Sequence, residues 1–361
     1  MCRKIAVLSA VLASLFFVGL GSRPTGASEP NLARIIPPGS LAAVHVRVPE
    51  LVASKNFDFL KQLAARVAPE ASQFSQTALG VDVATLSELT VVIPPQGTSP
   101  LPPGDSEFNP LIAATFIDAI RVEELTARLV NEFGFAAAAD RVYSNREDLA
   151  LQFVSNHTVI VGRPSALARW MDALAADENS GDDASLTQAL KAAVYRGHVV
   201  AAWNIGATRS LAPTDLPPGV DAFLKADTAL AALRFDDKLG IHASLRFQNQ
   251  EDARAVAAEL SRLKSQGEAL LTMGEAAATH QLQRRELPLE EGASLLAGLP
   301  AVRQGQAYLG DVAIEQEGAM VHATGQVDNE ITSAVMVCLT AIRAIGEQAN
   351  HQFSSVADQL Q

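Results

Sequence analysis

Four histidines fall out of phase with the apolar residues of their own alternating segments: His45, His198, His242 and His322. Arg47, Asn204, Ser244, Arg246, Thr324 and Gln326 alternate in the same phase. Imidazole, guanidinium, hydroxyl and amide groups on one sheet face can hold an anionic or carbohydrate ligand. Converging histidines can also hold a metal. His45, Arg47, His198, His242, Arg246 and His322 are therefore the candidate ligand-binding residues. The competing reading is that one face of an antiparallel sheet meets water and is polar for that reason alone. Spacing along a strand does not bring two strands together, so no metal site is assigned.

Other chemistry leaves no trace in the sequence. There is no Gly-x-Ser-x-Gly elbow, His-Glu-x-x-His, phosphate loop, dinucleotide fingerprint or Cys-x-x-Cys. Ser261-Arg262-Leu263-Lys264 matches Ser-x-x-Lys but lies in an amphipathic helical pattern. Asp177, Asn179, Asp182 and Asp183 lack the spacing of a calcium loop and read as a solvated acidic linker. No catalytic residue and no cofactor is assigned.

The elements that would carry the histidines are hairpins followed by helices. In 241–247, Ile241, Ala243, Leu245 and Phe247 share one face, the period-two mark of a half-buried strand. Asp236-Asp237 makes a polar turn before it. Asn249 can cap the following helix, in which Ala253, Val256, Ala257, Leu260 and Leu263 form the apolar stripe. A second copy is expected over 307–339, with a strand from Ala307, a turn at Glu317-Gly318, a strand ending at Val327 and a cap at Asp328. A looser third copy covers 149–174. Neither a hairpin nor a helix buries its apolar side alone, so the two pack together. Ala43–Val48 alternates in the same way, and 57–67 reads as a helix. Pro94–Pro110 carries six prolines and reads as a loop.

These units predict an α+β protein: two related halves of mainly antiparallel sheet with helices packed on one face, built from repeated strand-strand-helix units. The expected divisions are a leader over 1–28, halves over 29–176 and 185–361, and an acidic linker over 177–184. The apolar run Ile331–Ile345 is expected as a buried helix.

The 361 residues are 48% hydrophobic and 19% charged, a globular composition. Arg3 and Lys4 precede the apolar run Ile5–Leu20, and Thr25-Gly26-Ala27 fits a small-residue cleavage site. These are marks of an export signal, or of an anchor if it stays attached. Losing residues 1–28 removes three cations (Arg3, Lys4 and Arg23) and takes the net charge from −12 to −15. An acidic chain without a basic run is a poor match for nucleic acid. Only Cys338 would then remain, so no internal disulfide forms.

The opening IPPGSLAAVHVRVPELV, the middle LALQFVSNHTVIVGRPSALARWM and the unit LRFDDKLGIHASLRFQNQEDARAVAAEL resemble exported proteins of unknown function from planctomycete-type bacteria. The resemblance implies a fold and a compartment, and transfers no site. The expectation is an exported, acidic, non-enzymatic binding or scaffolding protein of the periplasm or cell envelope. Its partner would be an unknown envelope protein or ligand, with membrane contact only if the N-terminal segment is retained. The alternatives are a hydrolase-type enzyme working from the polar sheet face, and a membrane-tethered component of an envelope assembly.

Overall fold

A computed structural model describes residues 32–54, 85–95, 109–139, 142–145, 149–177, 185–209, 220–283 and 289–328. The leader, the helix expected over 57–67, most of the 94–110 loop, residues 178–184 of the acidic linker and the 331–345 helix lie outside them.

Twelve strands form one antiparallel sheet, in the spatial order β11-β12-β10-β9-β8-β1-β2-β3-β7-β6-β5-β4. In the first half these are β1 (Ala42–Arg47), β2 (Leu86–Ile93), β3 (Leu111–Phe116), β4 (Ala136–Ala139), β5 (Val142–Ser144), β6 (Ala150–Phe153) and β7 (Thr158–Gly162). In the second they are β8 (Val199–Asn204), β9 (Thr228–Phe235), β10 (Lys238–Arg246), β11 (Ala313–Glu317) and β12 (Met320–Asp328). The helices are α1 (Val48–Ala53), α2 (Val122–Phe133), α3 (Pro164–Asp177), α4 (Ser185–Ala193), α5 (Ile205–Thr208), α6 (Val220–Phe223), α7 (Gln250–Leu282) and α8 (Leu289–Asp311). The α+β class and the antiparallel pairing are as the alternation predicts.

The halves repeat one path. Both begin with a strand running into a short helix (β1-α1, β8-α5) and continue with two further strands. After a helical excursion, followed in the first half by the extra strands β4 and β5, each returns as a hairpin whose second strand pairs with the third strand (β7 on β3, β12 on β10). Equivalent hydrogen bonds mark the repeat. Arg47 N–H donates to the His198 carbonyl at 2.9 Å, and Asn204 N–H to the Leu41 carbonyl at 2.8 Å. Phe116 N–H donates to His157, and Phe247 N–H to Ala319, both at 2.8 Å. Pairing β1 with β8 joins the halves and removes two open edges, which would otherwise be templates for aggregation.

Side chains alternate between two apolar layers. Ala43, Val92, Ala113, Ile160, Val200 and Ala232 pack with Ala166, Leu167 and Trp170 of α3 and with Leu186 and Leu190 of α4. We call this the α3/α4 face. Val46, Leu89, Ala114, Val159 and Phe235 point the other way, toward Leu51 of α1 and Leu129 of α2. Helices thus add a second covered face to the first half. Trp170 secures α3 by donating its indole N–H to the Ile35 carbonyl at 2.8 Å.

In the second half the unit over 241–263 forms as the spacing predicts, except that Leu263, expected in the apolar stripe, is exposed. Phe247 is buried with Ala253 and Val256 of α7, and Leu245 and Leu260 pack beside them. The Asn249 side chain caps α7 by accepting from Asp252 N–H at 2.9 Å. Residues 307–311, expected as strand, continue α8 instead, and β11 begins at Ala313. The reason is tertiary. The missing side chain of Gly325 leaves room for the Tyr308 ring, which lies 3.3 Å from where a Cβ would stand. Lys264 holds the helix end, donating to the Val312 carbonyl at 2.7 Å and the Gly310 carbonyl at 3.3 Å.

Candidate functional site

All the strand register needed to place the histidines is regular. One cross-strand row runs Thr90, His45, Val200, Ala232, His242 and Thr324, over β2, β1, β8, β9, β10 and β12. His45, His242 and His322 therefore share the α3/α4 face, as their phase predicts. That face is not open along its length, and the row separates His45 from His242 by three strand spacings, roughly 14 Å.

His45 is a correction to the expected open face. It is fully buried where α4 packs against β1, β8 and β9, and its Nδ1 lies 2.9 Å from Thr90 Oγ1. Burial, and then the charge of Arg47, push its pKa down to about 4, so it is a neutral core imidazole. Arg47 is likewise committed: it donates to the Gly197 carbonyl at 3.1 and 3.3 Å and pairs with Glu50 at 3.1 Å. Beside it, buried Glu88 is pushed up to about 7, by burial first and then by Glu50, with Arg47 opposing. His198 closes the β8–β9 junction. Its Nδ1 accepts the Phe235 N–H at 3.0 Å, which places the neutral ring's proton on Nε2, 3.8 Å from Asp236. Burial lowers its pKa, and Asp236 opposes. Arg246 is exposed at the end of β10, opposite Thr228 and Met320 and four residues from His242.

Two of the six candidates do meet. His322 pairs with Ser244 in the register, so it is the diagonal neighbour of His242 across β10 and β12. The ring centroids are 5.7 Å apart. Arg196, from the turn after α4, places Nη1 3.3 Å from His242 Nε2. A guanidinium only donates, so Nε2 is the acceptor and the neutral ring carries its proton on Nδ1. Nδ1 of His242 and Nδ1 of His322 are both buried without a hydrogen-bond partner. Burial lowers the His242 pKa, and Arg196 and His322 lower it further.

Beside this cluster is a cavity of about 400 Å³, lined by Arg196, Arg234, Gly240, His242, Thr324 and Gln326, with Asp311 at its margin. Gly240 and Ala232 supply the space, and the long side chains supply the rim. Thr324 and Gln326 are in the phase the sequence marks as polar. Arg196, Arg234 and Asp311 are additions. Arg234 alternates in phase with Ala232 and was legible in β9, whereas Arg196 and Asp311 stand outside strands and carry no periodic signal. Arg234 is ion-paired with Asp236.

The first half shows what this position looks like without the cluster. The register makes Leu111 the equivalent of His242, and Ile160 the equivalent of His322. Both are buried in the layer that includes Leu167 and Trp170 of α3. One path thus carries an apolar, covered version of this face in one half and a polar, concave version in the other.

Among the described residues no group of three or more His, Cys, Asp or Glu could hold a metal ion. Among the same residues no helix is long and apolar enough to cross a membrane.

No protein-family model matches the chain, and no curated protein matches it. A solved structure titled "Structure of crystal form I of TP0453" is similar at 10% identity, covering 82% of this chain and 93% of that one, with a TM-score of 0.37.

Proposed function

We propose that the chain is an exported, non-enzymatic binding protein of the cell envelope that takes its ligand in the concavity over β9, β10 and β12. The observation that carries this reading is the divergence of the two halves. Where the first half buries Leu111 and Ile160, the second presents His242 and His322 beside a cavity rimmed by Arg196, Arg234 and Gln326. Interior positions are cheaply filled by aliphatic side chains, and imidazoles with unpaired nitrogens are not.

Binding is favoured over turnover by how the groups are used. A general base needs a free acceptor nitrogen. The Nε2 of His242 already accepts from Arg196. Thr324 and Gln326 add a hydroxyl and an amide that both donate and accept, suited to holding a ligand in place. Export rests on the basic start, the apolar run Ile5–Leu20 and the small-residue site at 25–27.

The test is native mass spectrometry of the protein purified from its own envelope fraction. Wild type is expected to carry a small-molecule adduct, and Thr324→Trp, which fills the concavity, to lack it. Adducts of equal occupancy in both proteins, or none in either, would count against this site.

A further inference from the structure

We propose that the concavity between Arg196 and Arg234 is a site for a small oxyanion-bearing ligand, a carboxylate or a phosphate, and that binding is coupled to proton uptake by His242. The inference rests on the reading of this concavity as the ligand site and adds its chemistry and its regulation.

The charge of the lining is the first argument. Of the two arginines lining the wall, Arg234 is ion-paired with Asp236, while Arg196 contacts the neutral His242 ring and keeps its charge for the cavity. That guanidinium attracts an anion to one place on a chain whose net charge is −12. Thr324 and Gln326 add a hydroxyl and an amide within the same wall, so an oxyanion meets neutral donors as well as cations.

The second argument is the Arg196–His242 contact. It requires an unprotonated Nε2, because the guanidinium has no lone pair to offer. Protonating His242 turns that contact into a repulsion between two donors and adds a charge to the wall. An anion between them relieves both effects. The groups facing His242 and His322 are Arg196 after α4, Arg234 on β9, Glu315 opposite His322 on β11, and Asp311 at the end of α8. Burial, then Arg196 and His322, lower the His242 pKa against an opposing backbone hydrogen bond, which favours neutral imidazole. A bound oxyanion favours imidazolium. Linkage then requires that affinity rise as pH falls.

Isothermal titration of the full chain with inorganic phosphate and with succinate, at pH 5.5 and 7.5, tests this. At least one probe is expected to bind roughly tenfold or more tightly at pH 5.5. Arg196→Gln is expected to weaken that probe roughly tenfold or more at both pH values. His242→Gln keeps a polar side chain, and is expected to bring the affinities at pH 5.5 and 7.5 to within about twofold of each other. Thermal unfolding of each variant confirms that it is folded. Absence of binding by either probe, or equal affinity in wild type and Arg196→Gln, overturns the oxyanion site. Binding without pH dependence overturns the coupling. If a copurified ligand is lost from Thr324→Trp yet is displaced by neither probe, the concavity remains the ligand site and the oxyanion class falls.

Discussion

His242 and His322 lie diagonally across β10 and β12 with their rings 5.7 Å apart, while His45, in the same cross-strand row as His242, is sealed in the core. Two residues of one type and one phase thus have opposite roles, and the layer above them decides which. Over the first half and the central strands β1, β8 and β9, α3 and α4 close the face. At the second half's outer strands it opens into a concavity rimmed by arginine.

The buried pair His45 and Glu88 gives stability an unusual pH profile. His45 titrates at about 4 in the folded chain against 6.5 when free, so its contribution is complete above pH 6.5 and is lost as pH falls toward 4. Glu88 titrates at about 7 against 4.5, so its contribution is complete below pH 4.5 and is lost as pH rises toward 7. Each shift is worth about 3 kcal/mol, and the slopes oppose each other between pH 4.5 and 6.5. Glu88→Gln removes one of them. Its stability relative to wild type should rise by about 3 kcal/mol between pH 4.5 and 7 in urea unfolding. Parallel profiles would show that Glu88 is not held neutral.

Gly197 and Gly240 should respond differently to alanine. At Gly197 a Cβ would stand 2.7 Å from the Leu233 carbonyl oxygen and 3.0 Å from its nitrogen, both main-chain atoms of β9. The strands must separate, and Gly197→Ala should cost about 1–3 kcal/mol. At Gly240 the nearest atom is Arg234 Cβ at 3.6 Å, ordinary contact. Gly240→Ala should change stability by less than about 1 kcal/mol. Denaturant midpoints of the two variants check the contrast.

Lys264 ties α7 to the end of α8. Its ammonium donates to the Val312 and Gly310 carbonyls, at a helix C-terminus where a cation is favoured. Lys264→Ala should cost about 1–2 kcal/mol. Amide exchange should accelerate at the last turn of α8 and in β11, and remain unchanged in β1 and β2. Uniform acceleration through the sheet would place the role of Lys264 elsewhere.

The proposed export signal has a direct readout. The mass of the protein isolated from its native host should correspond to a chain starting near residue 28 or 29, with one cysteine, Cys338. An intact Met1 in a membrane fraction would support the tethered alternative instead.

The sequence by itself determined the local grammar. Alternation in 241–247 put Leu245 and Phe247 against α7 and set His242 on the opposite side. Asn249 announced its helix, and the recurrence of the unit announced two related halves. These properties depend on a residue's own strand or helix, where the side-chain period is two or 3.6. Only the tertiary structure decided which strands are neighbours, that β1 joins β8, and that residues 307–311 stay helical so that Tyr308 can meet Gly325. It also decided that His45 is covered, that His322 comes beside His242, and that Arg196 reaches His242 from a turn. Pairing and covering are made by segments far apart in the chain, and a period along one strand carries no information about them.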